Sequence, residues 1–411
     1  MKINLNFVIL ILFSFVALII NYLSQGDISG IGSDFSFYFN RLVFIRDYNI
    51  PLNQWFSNSL QFSPDMDIDR VSNFVPSPFY TLIFLGPLFI HGSNFLFALQ
   101  GILISFLIFR IIRKFLGQIY FFLNDKILNL ILILGSLNPA FLKDSLTSGP
   151  VSICNLFLLY GFFYRDKTIL ASILFSCAAM TRSNYIIYWL AILIASLIGG
   201  FDWFKKFFKI SSLSLIVYFI FYFFFYSSHP GSEIGLAFTS GLPNMTFYDN
   251  YFIEALSKYF DVSNTYEISN LEITSTKFLK LVFTDFKIAY GLFLSWIFKI
   301  LSSLGFLHSH LLNDWRSIYW QRLITLLYFI FVMAPSFILS CFSLISIPKL
   351  NRKFWLKKEY VILSFAVIFL LMHSIIMGIP RYMTGPAWIF VAFYIRLIFW
   401  FRKITAKSIN S

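Results

Sequence analysis

The 411-residue chain is 58% hydrophobic and 12% charged, about half the charged share of an ordinary soluble domain. The deficit runs along the whole length, which excludes a soluble domain carried on one anchor. A net charge of +13 would suggest nucleic acid as the partner of a soluble protein; here, basic residues that hold cytoplasmic loops in place explain it.

The first element is the apolar run Phe7 to Ile20, behind Lys2. It has a signal-peptide look, but no small-residue cleavage site follows, so the sequence predicts a retained span. A spanning helix needs about 20 mostly apolar residues. That criterion predicts ten spans, at 4–23, 94–112, 127–142, 150–164, 168–181, 185–200, 210–227, 322–346, 359–378 and 386–401. The third to fifth are short. Between the first two, Phe79 to Ile90 is apolar, but Gly86, Pro87 and its length favour a re-entrant or interfacial element. Phe286 to Leu307 is interrupted by Lys287, Lys299 and paired serines, and is expected to lie on the outer surface. Cys154, Cys177 and Cys341 fall in apolar segments with no metal-binding or disulfide spacing.

Charge tests this order of spans. The inner side holds Lys2, the 110–126 cluster, Arg165 and Lys167, Lys205, Lys206 and Lys209, the 349–358 cluster and the tail. That is 19 basic against 4 acidic residues inside, and 13 against 15 outside. The bias obeys the positive-inside rule loop by loop, which puts both termini in the cytoplasm. The predicted fold class is therefore all-α: a polytopic membrane protein of about ten spans, one domain over 1–411. Two long outer loops, 24–93 and 228–321, mix aromatic and charged residues as amphipathic helices at headgroup level do. Outer insertions of that size suit an enzyme working at the far surface better than a transporter.

Four segments could carry chemistry. Asp34, in Gly32-Ser33-Asp34-Phe35-Ser36-Phe37-Tyr38, opens an apolar-periodic helix. It is either an N-cap or a carboxylate held at the membrane surface as a general base. Val75-Pro76-Ser77-Pro78-Phe79-Tyr80 turns the chain at the interface and leads to His91. In Thr181-Arg182-Ser183-Asn184-Tyr185, Arg182 lies at the outer end of two short spans, either as a functional cation or snorkelling to headgroups. Gly378-Ile379-Pro380-Arg381-Tyr382 with Pro386 forms the turn between the last two spans. Arg381 there is either an interfacial anchor or a phosphate ligand, a task for which a planar guanidinium is suited.

Other features are weaker. The alternating carboxylates Asp65, Asp67 and Asp69 could hold a divalent cation, though a solvated loop explains them. His308 and His310 with Asp314 lack a third strong ligand at fixed spacing. Asn244-Met245-Thr246 is a glycosylation sequon only in a secretory pathway. No metal or cofactor is expected.

Taken in order, the four segments resemble the GT-C superfamily of membrane glycosyltransferases, which use polyprenyl-phosphate-linked sugars. Asp34 and Tyr38 match the acid and following Tyr after the first span. Pro76 to Tyr80 match the Pro-rich aromatic segment before the second, and Thr181 to Asn184 approximate a Thr-Arg-Pro-Asn-like motif. Arg381-Tyr382 with Pro386 match an Arg-Tyr motif opening the last span. Phe35 stands where many members carry a second acid and Ser183 where proline is usual, which leaves Asp34 as the sole candidate base.

The resemblance implies an inverting sugar transferase at the outer, extracytoplasmic face of a bacterial inner membrane. Asp34 would be the base. Arg381, Arg182 and Tyr382 would bind the donor phosphate, with Tyr38, Asn184 and His91 as further candidates. Its partners would be a polyprenyl-phosphate sugar donor, a lipid, glycan or protein acceptor and membrane lipids, not nucleic acid. Two alternatives stay open: a polysaccharide polymerase of the outer leaflet, and a transporter or flippase of lipid-linked sugars. Against the last, no inverted repeat or matched pair of broken helices is visible.

Overall fold

The computed structural model describes residues 42, 79–86, 94–120, 125–136, 138, 150–182, 185–225, 280, 282–305, 323, 326–346, 357–376 and 384–409. Among the described residues every regular element is helical and none is a strand. A π-helical turn at Tyr80–Leu85 precedes α1 (Asn94–Ile119), α2 (Asp125–Ser136), α3 (Pro150–Phe163) and α4 (Thr168–Thr181). Then come α5 (Ile186–Gly199), α6 (Phe201–Phe225), α7 (Phe286–Ser303), α8 (Ala334–Ser346, led by a π turn at Phe329–Met333), α9 (Lys357–Ile376) and α10 (Thr384–Ile409).

Two of these helices, Phe286–Ser303 and Leu326–Ile345, are long and apolar enough to cross a membrane. Pro150–Phe163, Thr168–Thr181 and Ile186–Gly199 are apolar but shorter. At 1.5 Å per residue each is about 21 Å long, below the ~30 Å of a bilayer core. The expected first span, 4–23, lies outside the described residues, as do most of both expected outer loops. Inside the second loop region, α7 forms despite its lysines. Asp285 caps it by accepting from the Lys287 N–H at 2.9 Å, and Lys299 falls on the buried face. Gly200 (φ 95°) and Gly305 (φ 101°) take the left-handed conformation that follows α5 and α7.

Small residues bring the helices together. On α4, Ser172 and Ser176 donate to Ile210 O (3.1 Å) and Ser214 O (3.0 Å) of α6, and Ser214 donates back to Ser172 O (3.0 Å). Such a seam lets two backbones approach while every hydroxyl is satisfied. Gly161 lies so close to α4 that a Cβ there would stand 2.5 Å from the Phe175 ring. A Cβ at Gly135 would collide with Trp388 of α10. Helix α9 runs through the centre, packed most extensively on α5 and also on α7, α8 and α10.

Two exposed ion pairs join helix ends that the charge pattern assigns to the inner side. Lys206 of α6 pairs with Asp166 in the α3–α4 turn, and Arg113 of α1 with Asp125 of α2 at 3.3 Å. A buried pair lies deeper: Arg396 meets Glu359 at 3.0 Å, the two side chains being 6% and 1% exposed. Tyr120, itself buried, lies close enough to feel the Glu359 charge. Burial first, and the Glu359 charge second, push its phenol well above its ordinary value, so it remains a donor.

Candidate functional site

Arg182 ends α4. Its backbone turns extended (φ −149°, ψ 122°) after its N–H closes the last helical bond to Ala178 O. The Arg182 carbonyl then accepts from Tyr185 N–H at 3.0 Å, which starts α5. The side chain is 9% exposed, so this guanidinium is enclosed by protein and does not reach out as a snorkelling side chain would. A buried cation at a helix junction is a functional candidate by default.

One turn of α3, Cys154 to Leu158, touches segments from three of the four motifs. Cys154 Sγ donates to Ala178 O (3.3 Å), next to Arg182. Phe157 packs against Phe79 and Phe84, with ring centroids 6.3 and 6.0 Å apart. That docks the end of the Pro76–Tyr80 segment, whose Tyr80 is fully buried. Asn155 and Leu158 line an apolar cavity shared with Phe162, Tyr188, Phe365 and Pro386. Pro386 comes from the last-turn motif, and Tyr188 stacks on Tyr185 at 4.8 Å beside Arg182. The chain therefore brings the described parts of the second, third and fourth motifs around one helix turn.

The cavity has one polar surprise. Asn155 is 2% exposed, and neither end of its amide is hydrogen-bonded to a described group. An amide left so costs roughly 1–3 kcal/mol, which makes it a candidate that the sequence did not single out. The only sequence signal is a lone amide in the middle of an apolar helix. The Tyr120–Glu359–Arg396 cluster was equally unexpected, because Glu359 and Arg396 read as separate inner-side charges.

Asp34, Tyr38, His91, Asn184, Arg381 and Tyr382 lie outside the described residues, as do Asp65 to Asp69 and His308 to Asp314. Among the described residues no cluster of three His, Cys, Asp or Glu side chains could hold a metal ion. No protein family matches the chain, and neither a curated protein nor a solved structure is detectably similar to it.

Proposed function

We propose that this chain is a multi-pass membrane glycosyltransferase of the GT-C type, working at the outer face on a polyprenyl-phosphate sugar. The observation that carries the reading is the convergence on α3: Phe79, the Ala178 carbonyl that also accepts the Arg182 N–H, and Pro386, far apart in sequence, all abut Cys154 to Leu158 or its cavity. The charge bias supports it by assigning Asp34, Arg182 and Arg381 to the same side. Exposed apolar side chains support the membrane setting, among them Phe223 at 82%, Phe286 at 80% and Ile345 at 77%.

In this reading the acceptor hydroxyl oxygen attacks the anomeric carbon from the face opposite the phosphate. The new C–O bond forms as the sugar–phosphate bond breaks, with inversion. The hydroxyl proton passes to Asp34, and the electron pair leaves with the polyprenyl phosphate. Arg182 and Arg381 stabilise the growing charge on that leaving group, a contribution of roughly 2.7–4 kcal/mol for one well-placed donor in a dry site.

The test is Asp34→Asn, assayed for sugar transfer in membranes supplied with synthetic polyprenyl-phosphate sugars. A fall of about 10²–10⁴-fold in turnover is expected for a lost general base. Wild-type turnover would remove Asp34 from this role. Flux of lipid-linked sugar in proteoliposomes without a covalent product would replace the reading with a flippase.

A further inference from the structure

Helices α1 and α3 pack side by side, and one face of the pair ends in cations that the proposed chemistry does not use. On α1, Leu99, Leu103, Arg110 and Lys114 share one stripe, because steps of four and seven residues return to the same side of a helix. Leu99 and Leu103 are 49% and 56% exposed, and Arg110 and Lys114 are exposed as well. The stripe meets α3 along its length. Arg110 is close enough to Tyr160 for its charge to act on the phenol, and Lys114 Nζ stands 6.0 Å from the centre of the Phe163 ring. In the turn after α3, exposed Lys167 places its Nζ 5.7 Å from the centre of the Tyr164 ring. Tyr164 in turn stacks on Tyr160 at 6.2 Å and meets Phe163 edge-on at 5.0 Å. Three cations thus rim a cluster of three aromatic rings.

Other groups carry the local structural duties. Arg165 donates to Phe162 O at 3.0 Å and so neutralises the end of α3. Asp125 is held by Arg113, and Asp166 by Lys206. Among the described residues no carboxylate pairs with Arg110, Lys114 or Lys167. Three cations gathered without a carboxylate attract an anion. The leucines on the same stripe indicate its source. Leu103 and Arg110 are seven residues apart, ~10 Å along the helix axis, so the chains and headgroup of one lipid meet leucines and cations in turn. A free phosphate would use the cations alone. The charge bias assigns this end of the helices to the inner side, the leaflet whose anionic lipids attract basic segments.

We infer that the α1–α3 face binds an anionic phospholipid of the inner leaflet. Arg110 and Lys114 hold its phosphate with Lys167 alongside, and its acyl chains lie along Leu103 and Leu99. This rests on the multi-pass membrane setting proposed above and is independent of the transferase chemistry.

The test titrates the full chain, delipidated in detergent, with phosphatidylglycerol or phosphatidylcholine of equal chain length, and native mass spectrometry counts the bound lipid. Phosphatidylglycerol is expected to bind about tenfold or more tightly, in line with two basic side chains at its headgroup. Arg110→Gln/Lys114→Gln is expected to remove that preference and Arg110→Lys/Lys114→Arg to keep it. Lys205→Gln/Lys209→Gln, which removes the same charge from exposed positions on α6, is expected to keep it too. Thermal unfolding checks that each variant is folded. Equal binding of the two lipids overturns the inference. An equal loss in the α6 variant does so as well, because binding would then follow diffuse charge. Displacement of phosphatidylglycerol by excess inorganic phosphate would reassign the cations to a soluble anion and overturn the lipid site. Extraction of the chain from membranes by alkaline carbonate would remove the membrane setting itself, whereas retention there with no lipid preference removes this site alone.

Discussion

Arg396 and Glu359 face each other with almost no solvent, and Tyr120 completes the group. Removing one member of a buried pair leaves the other charge uncompensated, which costs about 3–5 kcal/mol. Glu359→Gln or Arg396→Met is therefore expected to lower stability by that amount in chemical denaturation of the detergent-solubilised protein. The double variant Glu359→Leu/Arg396→Met should recover most of the loss, because two apolar side chains need no partner. Asn155 predicts the opposite sign. Its amide makes no hydrogen bond to a described group, so Asn155→Leu is expected to raise stability by about 1–3 kcal/mol. If the cavity takes part in transfer, the same substitution slows turnover, the trade-off expected of a functional polar group in a core. A fall in stability would show that the amide is satisfied in the working protein.

At the scale of helices, the serine seam and the glycine contacts decide which pairs meet. Ser176→Ala and Ser214→Ala should each cost about 0.6 kcal/mol and at most ~1.7. Gly161→Leu meets Phe175 directly, and overpacking of that kind costs about 1–3 kcal/mol; thermal unfolding orders the three variants. Much of the helix map was legible beforehand. The runs at 150–164, 168–181 and 185–200 become α3, α4 and α5 almost residue for residue, since long apolar stretches with breaks at Arg165 to Lys167 and Ser183 leave little choice. Partner choice was not legible. A hydropathy run says that a helix is apolar, not that Gly161 must face Phe175 or that Glu359 must reach Arg396. For the same reason α7 reads from its lysines as a surface segment, whereas tertiary packing puts Lys299 against α9. Of the expected site residues, Arg182 is the one among the described residues, and the sequence alone could not distinguish its burial from snorkelling.

For the whole molecule, the exposed Phe and Ile side chains and the charge bias make one joint prediction about sidedness. Single cysteines at positions 34 and 381 should both react with a membrane-impermeant maleimide applied from outside, and one at position 407 only after permeabilisation. Opposite accessibility at 34 and 381 would dissolve the proposed site. Both long apolar helices, Phe286–Ser303 and Leu326–Ile345, should also resist hydrogen exchange in nanodiscs once the protein is inserted.

The brevity of α3, α4 and α5 has a consequence for the surrounding lipid. Three neighbouring 14-residue helices fall roughly 9 Å short of an unperturbed hydrocarbon core. In the proposed multi-pass arrangement the leaflets would meet such a deficit by thinning locally, and headgroups would sink into a dimple beside the Arg182 junction. A carrier lipid drifting into that dent would present its phosphate below the general headgroup plane, already near the depth of the guanidinium. Turnover should accordingly rise in short-chain lipids and fall in thick bilayers that resist the deformation.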